Sequence, residues 1–185
     1  MAAARLHRLQ EEYRGRLIVV WRSFLLLRED SHRGWNDYVA AHWQRAQEAE
    51  PTLRFRPWRG SFFPSTTMAA HVAGKAVGRQ GPQLFDAFHL GAMRAFFADN
   101  ANLEDPALLR AVAEGAGVDL ARFDDDVADP DLKQVVWREF TQGVEQERVT
   151  AIPTMFIGER CAAEGALTVD RYRRLFDAAL VGRPS

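Results

Sequence analysis

From about residue 31 to residue 148 the sequence carries helical periodicity broken by loops and no convincing strand, whereas strand-like apolar runs occur only before and after this stretch. A sheet is therefore possible only if its strands come from the two ends of the chain, with the helical segment inserted between them. Before the insert, residues 16 to 26 hold the run Leu17-Ile18-Val19-Val20-Trp21, apolar at both parities, which reads as a strand covered on both faces. After it, Pro153 leads into Thr154-Met155-Phe156-Ile157 and the turn Gly158-Glu159-Arg160, with residues 161 to 166 as the returning strand of a hairpin. A chain of 185 residues, 47% of them hydrophobic, is large enough for one well-cored domain with such an insert.

Helices account for the rest. Residues 2 to 14 place Leu6, Leu9 and Tyr13 three and four apart, with Gly15 as a stop, yet no Ser, Thr, Asp or Asn precedes them to serve the free N–H groups. Inside the insert Trp35, Val39, Trp43 and Ala46 form one helical face, and Pro51, Pro57 and Pro64 break the chain into an aromatic-rich irregular stretch. Ser65 is positioned to cap an alanine-rich helix over residues 66 to 79. Pro82 opens another that runs to about Asp99 and carries Leu84, Phe85, Phe88, Met93, Phe96 and Phe97. Asp105-Pro106, Asp119 and Asp129-Pro130 start three more, and Thr168 caps a last helix bearing Val169, Tyr172, Leu175, Phe176 and Leu180.

The charge balance excludes several functional classes. With a formal net charge of -1, nothing calls for nucleic acid or an anionic membrane as partner. No apolar run is long enough to span a bilayer, and residues 1 to 12 lack the apolar stretch of a signal peptide, so a cytoplasmic protein is expected. Cys161, the single cysteine, excludes an internal disulfide and a cysteine-based zinc site. His7, His32, His42, His71 and His89 show no ligand spacing, and no cofactor or metal is expected. Gly74, Gly78 and Gly81 mimic a glycine-rich loop but lie in a helical stretch, with Lys75 out of register for phosphate binding. Trp58, Phe62 and Phe63 read as core in preference to a groove, and Asp124-Asp125-Asp126 as a solvated helix terminus.

The order helix, strand, helical insert, hairpin, helix, together with the run Val149-Thr150-Ala151-Ile152-Pro153-Thr154-Met155-Phe156-Ile157 and then Gly165-Ala166, resembles the DsbA-like thioredoxin superfamily. Residues 16 to 26, 68 to 81 and 85 to 109 carry the resemblance as well, so nearly the whole chain takes part, and within the superfamily the chain is similar to the cytoplasmic FrnE-like proteins, whose pattern the ending Glu164-Gly165-Ala166 resembles. The resemblance implies an α/β fold of thioredoxin type, a single domain over residues 1 to 185 with a helical insertion at about 31 to 148. It also implies that Ala151, Ile152, Pro153 and Thr154 bind substrate, with the Ile152–Pro153 bond cis and the Ile152 backbone exposed to an extended polypeptide or a small thiol. A proline at this place fits a strand start, where its missing N–H interrupts no ladder.

In that family a Cys-x-x-Cys stands between the first strand and the first helix, where the helix dipole favours the thiolate. Here residues 2 to 9 occupy the place after that motif, and neither the cysteines nor the first strand is present. Two explanations follow: Met1 is a truncated or wrongly chosen start, which the uncapped first helix favours, or the short chain has abandoned catalysis and keeps a binding surface. The leading expectation is a thiol–disulfide oxidoreductase of DsbA/FrnE type without dithiol activity in the chain as given. Its rivals are a glutathione-dependent isomerase or transferase of kappa type, which has serine in place of the first cysteine, and a non-catalytic peptide-binding module. The oligomeric state is left open.

Overall fold

A computed structural model of the protein describes residues 2–28, 34–60 and 62–181. Among them, the elements in chain order are α1 (Ala2–Glu12), α2 (Asp37–Ala49), α3 (Met68–Gly78), α4 (Pro82–Asp99), α5 (Pro106–Gly115), α6 (Leu120–Ala128), α7 (Pro130–Glu145), β1 (Thr154–Ile157), β2 (Arg160–Glu164) and α8 (Val169–Val181). They divide into two compact units, one formed by Met1–Arg22 with Thr141–Ser185 and the other by Ser23–Phe140.

In the first unit, the apolar stripe of α1 meets that of α8. Leu6, Leu9 and Tyr13 form one cluster with Tyr172 and Phe176, and Leu17, Trp21, Met155 and Ile157 pack on it. Burying side chains of this size contributes about 1.5 to 3 kcal/mol each. Several polar side chains at the edges of the cluster are hydrogen-bonded. The Tyr13 hydroxyl donates to the Asp177 carboxylate at 2.6 Å, and Arg173 forks onto Glu12 at 2.7 and 2.9 Å. The buried Arg5 guanidinium donates to the Leu167 carbonyl at 2.8 Å. The Thr168 hydroxyl accepts from the Arg171 N–H at the start of α8, as its sequence position predicts.

β1 and β2 pair antiparallel, Thr154 opposite Glu164 and Met155 opposite Ala163, then Phe156 opposite Cys161 and Ile157 opposite Arg160. Ala162 is the extra residue of a bulge between these pairs. Gly158, at φ 61°, makes the reversal, a conformation that side chains other than glycine's disfavour.

The strand expected over residues 16 to 26 forms no ladder with any of the described residues. Exposure alternates with the extended period of two: Leu17 and Trp21 face the cluster, while Ile18 and Val20 are 92% and 67% exposed. Among the described residues the backbone of Ile18, Val19 and Val20 makes no hydrogen bond. Apolar alternation fixes which way side chains point, but a strand exists only where a neighbour supplies the other half of each ladder bond. The sheet of the described residues is therefore the two-stranded hairpin alone.

In the second unit, small residues on α3 let helices approach closely around Val77, Phe88, Ala113 and Val136, all essentially buried. A Cβ at Gly74 would stand 3.4 Å from the Phe85 ring, and one at Gly91 only 3.0 Å from Val112. Asn36, Asp105 and Asp119 accept backbone N–H groups at the starts of α2, α5 and α6. Ser65 does not cap α3. Its N–H and hydroxyl both donate to the Glu104 carboxylate, and the Thr66 hydroxyl takes the Met68 N–H at 3.1 Å instead. Two members of the acidic run at residues 124 to 126 are paired, not merely solvated: the Arg110 Nε–H donates to both Asp124 carboxylate oxygens, and Asp126 accepts Arg79 at 2.7 Å. Trp58 is buried, with the half-buried Phe63 edge to face against it at 5.1 Å, whereas Phe62 is 48% exposed.

Candidate functional site

After α7 the chain turns at Arg148, whose φ of 54° is left-handed, and the Val149 N–H returns to the Gly143 carbonyl at 2.8 Å. This delivers residues 150 to 153 as an irregular approach to β1. The Ile152–Pro153 peptide bond is cis. The Thr154 hydroxyl donates to the Ala151 carbonyl at 2.6 Å, closing the loop around the proline. The Gly165 N–H donates to the Pro153 carbonyl at 2.8 Å, tying the loop to the end of β2. Pro153 and Thr154 are half-buried, Ala151 is exposed and Ile152 is 42% exposed.

Among the described residues, no hydrogen bond uses the Ile152 N–H or carbonyl. An uncommitted, partly exposed peptide unit beside a pinned proline offers one donor and one acceptor to an extended chain. All four residues singled out from sequence are thus contiguous and held in one loop. Gly165 was visible in sequence only as part of a family pattern. Its structural task, to turn at φ 78° and donate to Pro153, depends on the register of the hairpin.

Cys161 is exposed on β2, opposite Phe156. A single thiol cannot alternate between dithiol and internal disulfide, because that exchange needs a second sulfur to resolve the mixed disulfide. Among the described residues, no group of three or more His, Cys, Asp or Glu is gathered to hold a metal ion.

A second concentration of polar groups lies within the unit Ser23–Phe140, where Lys75 on α3 meets Glu139 on α7 at 2.6 and 2.7 Å. The same carboxylate accepts the Ser23 N–H at 2.6 Å. Burial works to raise the Glu139 carboxyl, but the hydrogen bonds from Lys75 and Ser23 outweigh it and hold the group below its ordinary range. His71, one turn before Lys75, is pushed down to about 4 by burial and by the Lys75 charge, against the opposing influence of Glu139 and the Phe24 backbone. Its imidazole is therefore neutral at pH 7 in the folded chain.

A pH dependence follows. The folded value lies below the unfolded value near 6.5, so the unfolded chain binds the proton more readily. The stabilisation is fully present above pH 6.5 and is lost as pH falls toward 4, by roughly 3 kcal/mol. Urea midpoints of the parent and His71→Asn chains between pH 7 and pH 4 check this. The parent should lose stability more steeply; parallel slopes would refute the assignment.

No curated protein sequence matches the chain. Its structure is similar to the crystal structure of a candidate protein disulfide isomerase from Nitrosomonas europaea, with a TM-score of 0.80 at 20% identity. That likeness covers 98% of this chain and 91% of the other, and it establishes the thioredoxin-type fold. Residues 1–177 match the family described as the DSBA-like thioredoxin domain. No helix among the described residues is long and apolar enough to cross a membrane. On the family match, which spans the helical segment as well as the proline loop and hairpin, the chain belongs to the DsbA-like thioredoxin family.

Proposed function

We propose that the chain belongs to the FrnE-like thiol–disulfide oxidoreductases and that its own contribution is to hold an extended, thiol- or disulfide-bearing polypeptide on the loop formed by Ala151, Ile152, Pro153 and Thr154. The observation that carries this reading is the Ile152 peptide unit, partly exposed and uncommitted, in a loop closed by Thr154 on Ala151 and tied by Gly165 to Pro153. A substrate strand laid against Ile152 can exchange two backbone hydrogen bonds there, each contributing about 0.5 to 1.5 kcal/mol.

Electron transfer is a separate matter. Reducing a disulfide takes two electrons, which a dithiol supplies as it becomes a disulfide, and Cys161 has no second cysteine in this sequence. These 185 residues therefore bind substrate without turning over a dithiol. A reduced, carboxymethylated unfolded polypeptide should bind the chain saturably, and Ile152→Pro, which removes the donor N–H, should weaken binding about tenfold. In an insulin-reduction assay with dithiothreitol the chain should leave the uncatalysed rate unchanged, and Cys161→Ser should behave identically. Turnover above background, or equal binding by Ile152→Pro, would overturn this reading. A peptide-binding module without a redox role is favoured by the same uncommitted backbone. It separates from the first reading if the chain binds such polypeptides but shows no preference for those containing cysteine.

A further inference from the structure

A pocket of about 420 Å³ opens in the unit Ser23–Phe140, lined by Arg56, Pro57, Arg59, Ala98, Asp99 and Asn100. Its volume falls in the range of small-molecule sites. Neither the Arg56 nor the Arg59 side chain makes a hydrogen bond or ion pair among the described residues.

The segment carrying the two arginines is nevertheless held at several points. The Arg56 N–H donates to the Phe97 carbonyl at 2.8 Å. Asn100, the residue that ends α4, clamps both arginine backbones with one side chain: its Nδ2 donates to the Arg56 carbonyl and its Oδ1 accepts the Arg59 N–H, each at 3.1 Å. Asn100 adopts a left-handed φ of 52°, a conformation asparagine tolerates better than other residues with a side chain. Between the arginines, Pro57 restricts the backbone, and Trp58 is buried with its indole N–H on the Phe62 carbonyl at 2.9 Å. A Cβ at Gly60 would stand 2.9 Å from the Trp58 ring nitrogen, so the chain passes too close to that ring for a larger residue. Both arginine side chains are exposed, so the fixed backbone sets where the two guanidiniums leave the chain, while the side chains keep their rotamer freedom until a ligand engages them.

The remaining lining sets the ligand's chemistry. Asp99 contributes a carboxylate, whose nearest ion pair is a loose one of 4.0 Å to the exposed Arg94. The pocket also lies at the C-terminal end of α4, where the helix dipole disfavours a bare anion. A simple phosphate or sulfate would satisfy the arginines but be repelled by both of these. We propose that this pocket binds a small amino-acid-like zwitterion of net negative charge, its carboxylates on Arg56 and Arg59 and its ammonium on Asp99.

L-Glutamate is the probe, titrated into the full chain and followed by two-dimensional NMR of the backbone amides. Saturable shifts confined to Arg56, Arg59, Asn100 and their neighbours are expected. Arg56→Ala and Arg59→Ala should each weaken binding at least ~10-fold with the remaining spectrum intact. Asn100→Gly, which keeps both guanidiniums and relieves the left-handed backbone, should also weaken it, as loss of the clamp demands. Asp99→Asn should abolish the preference for L-glutamate over glutarate, which lacks the ammonium. The proposal fails if shifts do not saturate, if inorganic phosphate or L-lysine produces the same response, or if both arginine variants bind as the parent does.

Discussion

Replacing Glu139 with alanine should lower the unfolding free energy by roughly 3 kcal/mol, seen as a drop in the urea midpoint at pH 7. The carboxylate side chain is only 10% exposed and serves Lys75 and the Ser23 N–H at once. Its removal leaves an ammonium that is 21% exposed without this counter-charge and a backbone donor without this acceptor. Breaking such a pair from one side costs more than the pair contributes net, because the surviving charge keeps its desolvation penalty. The double variant Glu139→Leu with Lys75→Met should accordingly recover most of the loss. Single and double variants of equal stability would show instead that the carboxylate acts through packing alone. With Glu139 gone, His71 also loses the one nearby charge that favours its protonation, so its imidazole should titrate lower still. The stability that Glu139 itself supplies is present above about pH 4.5 and is lost as pH falls below it, beneath most of the His71 window.

Tyr172→Ala should cost about 3 to 5 kcal/mol, an effect of similar size in the unit formed by Met1–Arg22 and Thr141–Ser185. Tyr172 is 1% exposed, lies parallel to Phe176 with ring centroids 6.3 Å apart, and belongs to the cluster with Leu6, Leu9 and Tyr13. Its hydroxyl also accepts the Leu167 N–H at 3.2 Å, just before α8 begins. Tyr172→Phe separates the two contributions. It should cost about 1 kcal/mol, the worth of one hydrogen bond, leaving the larger share to the cavity. Thermal unfolding with near-ultraviolet detection reads both variants, and a phenylalanine variant as damaged as the alanine one would assign the effect to the hydrogen bond.

Much of the helical architecture is legible along the chain because its determinants are local. Proline at the first turn of α4, aspartate before α5 and α6, and threonine before α8 act within three residues of themselves, and each stands where the periodic pattern puts it. Ser65 failed as a cap because Glu104, 39 residues away, competes for its hydrogen bonds. The candidate site was partly legible. Pro153 ahead of Thr154-Met155-Phe156-Ile157 identifies the entry to a strand, but the closure by Thr154 and the tie from Gly165 follow from the hairpin register. The Asn100 clamp reaches 41 and 44 residues back along the chain, and no periodicity announces it.

The sequence by itself determined the helices and most of their caps, the hairpin after Pro153, the family and the presence of one thiol, since these rest on neighbouring residues or on a pattern read along the chain. Tertiary structure alone decided that residues 17 to 21 pair with no strand among the described residues, that Lys75 meets Glu139 across 64 positions, and that no described residue engages the Ile152 peptide unit. The reason is physical: a ladder bond, an ion pair or an idle donor is a property of two places in the chain, and sequence order says little about which distant places folding brings together.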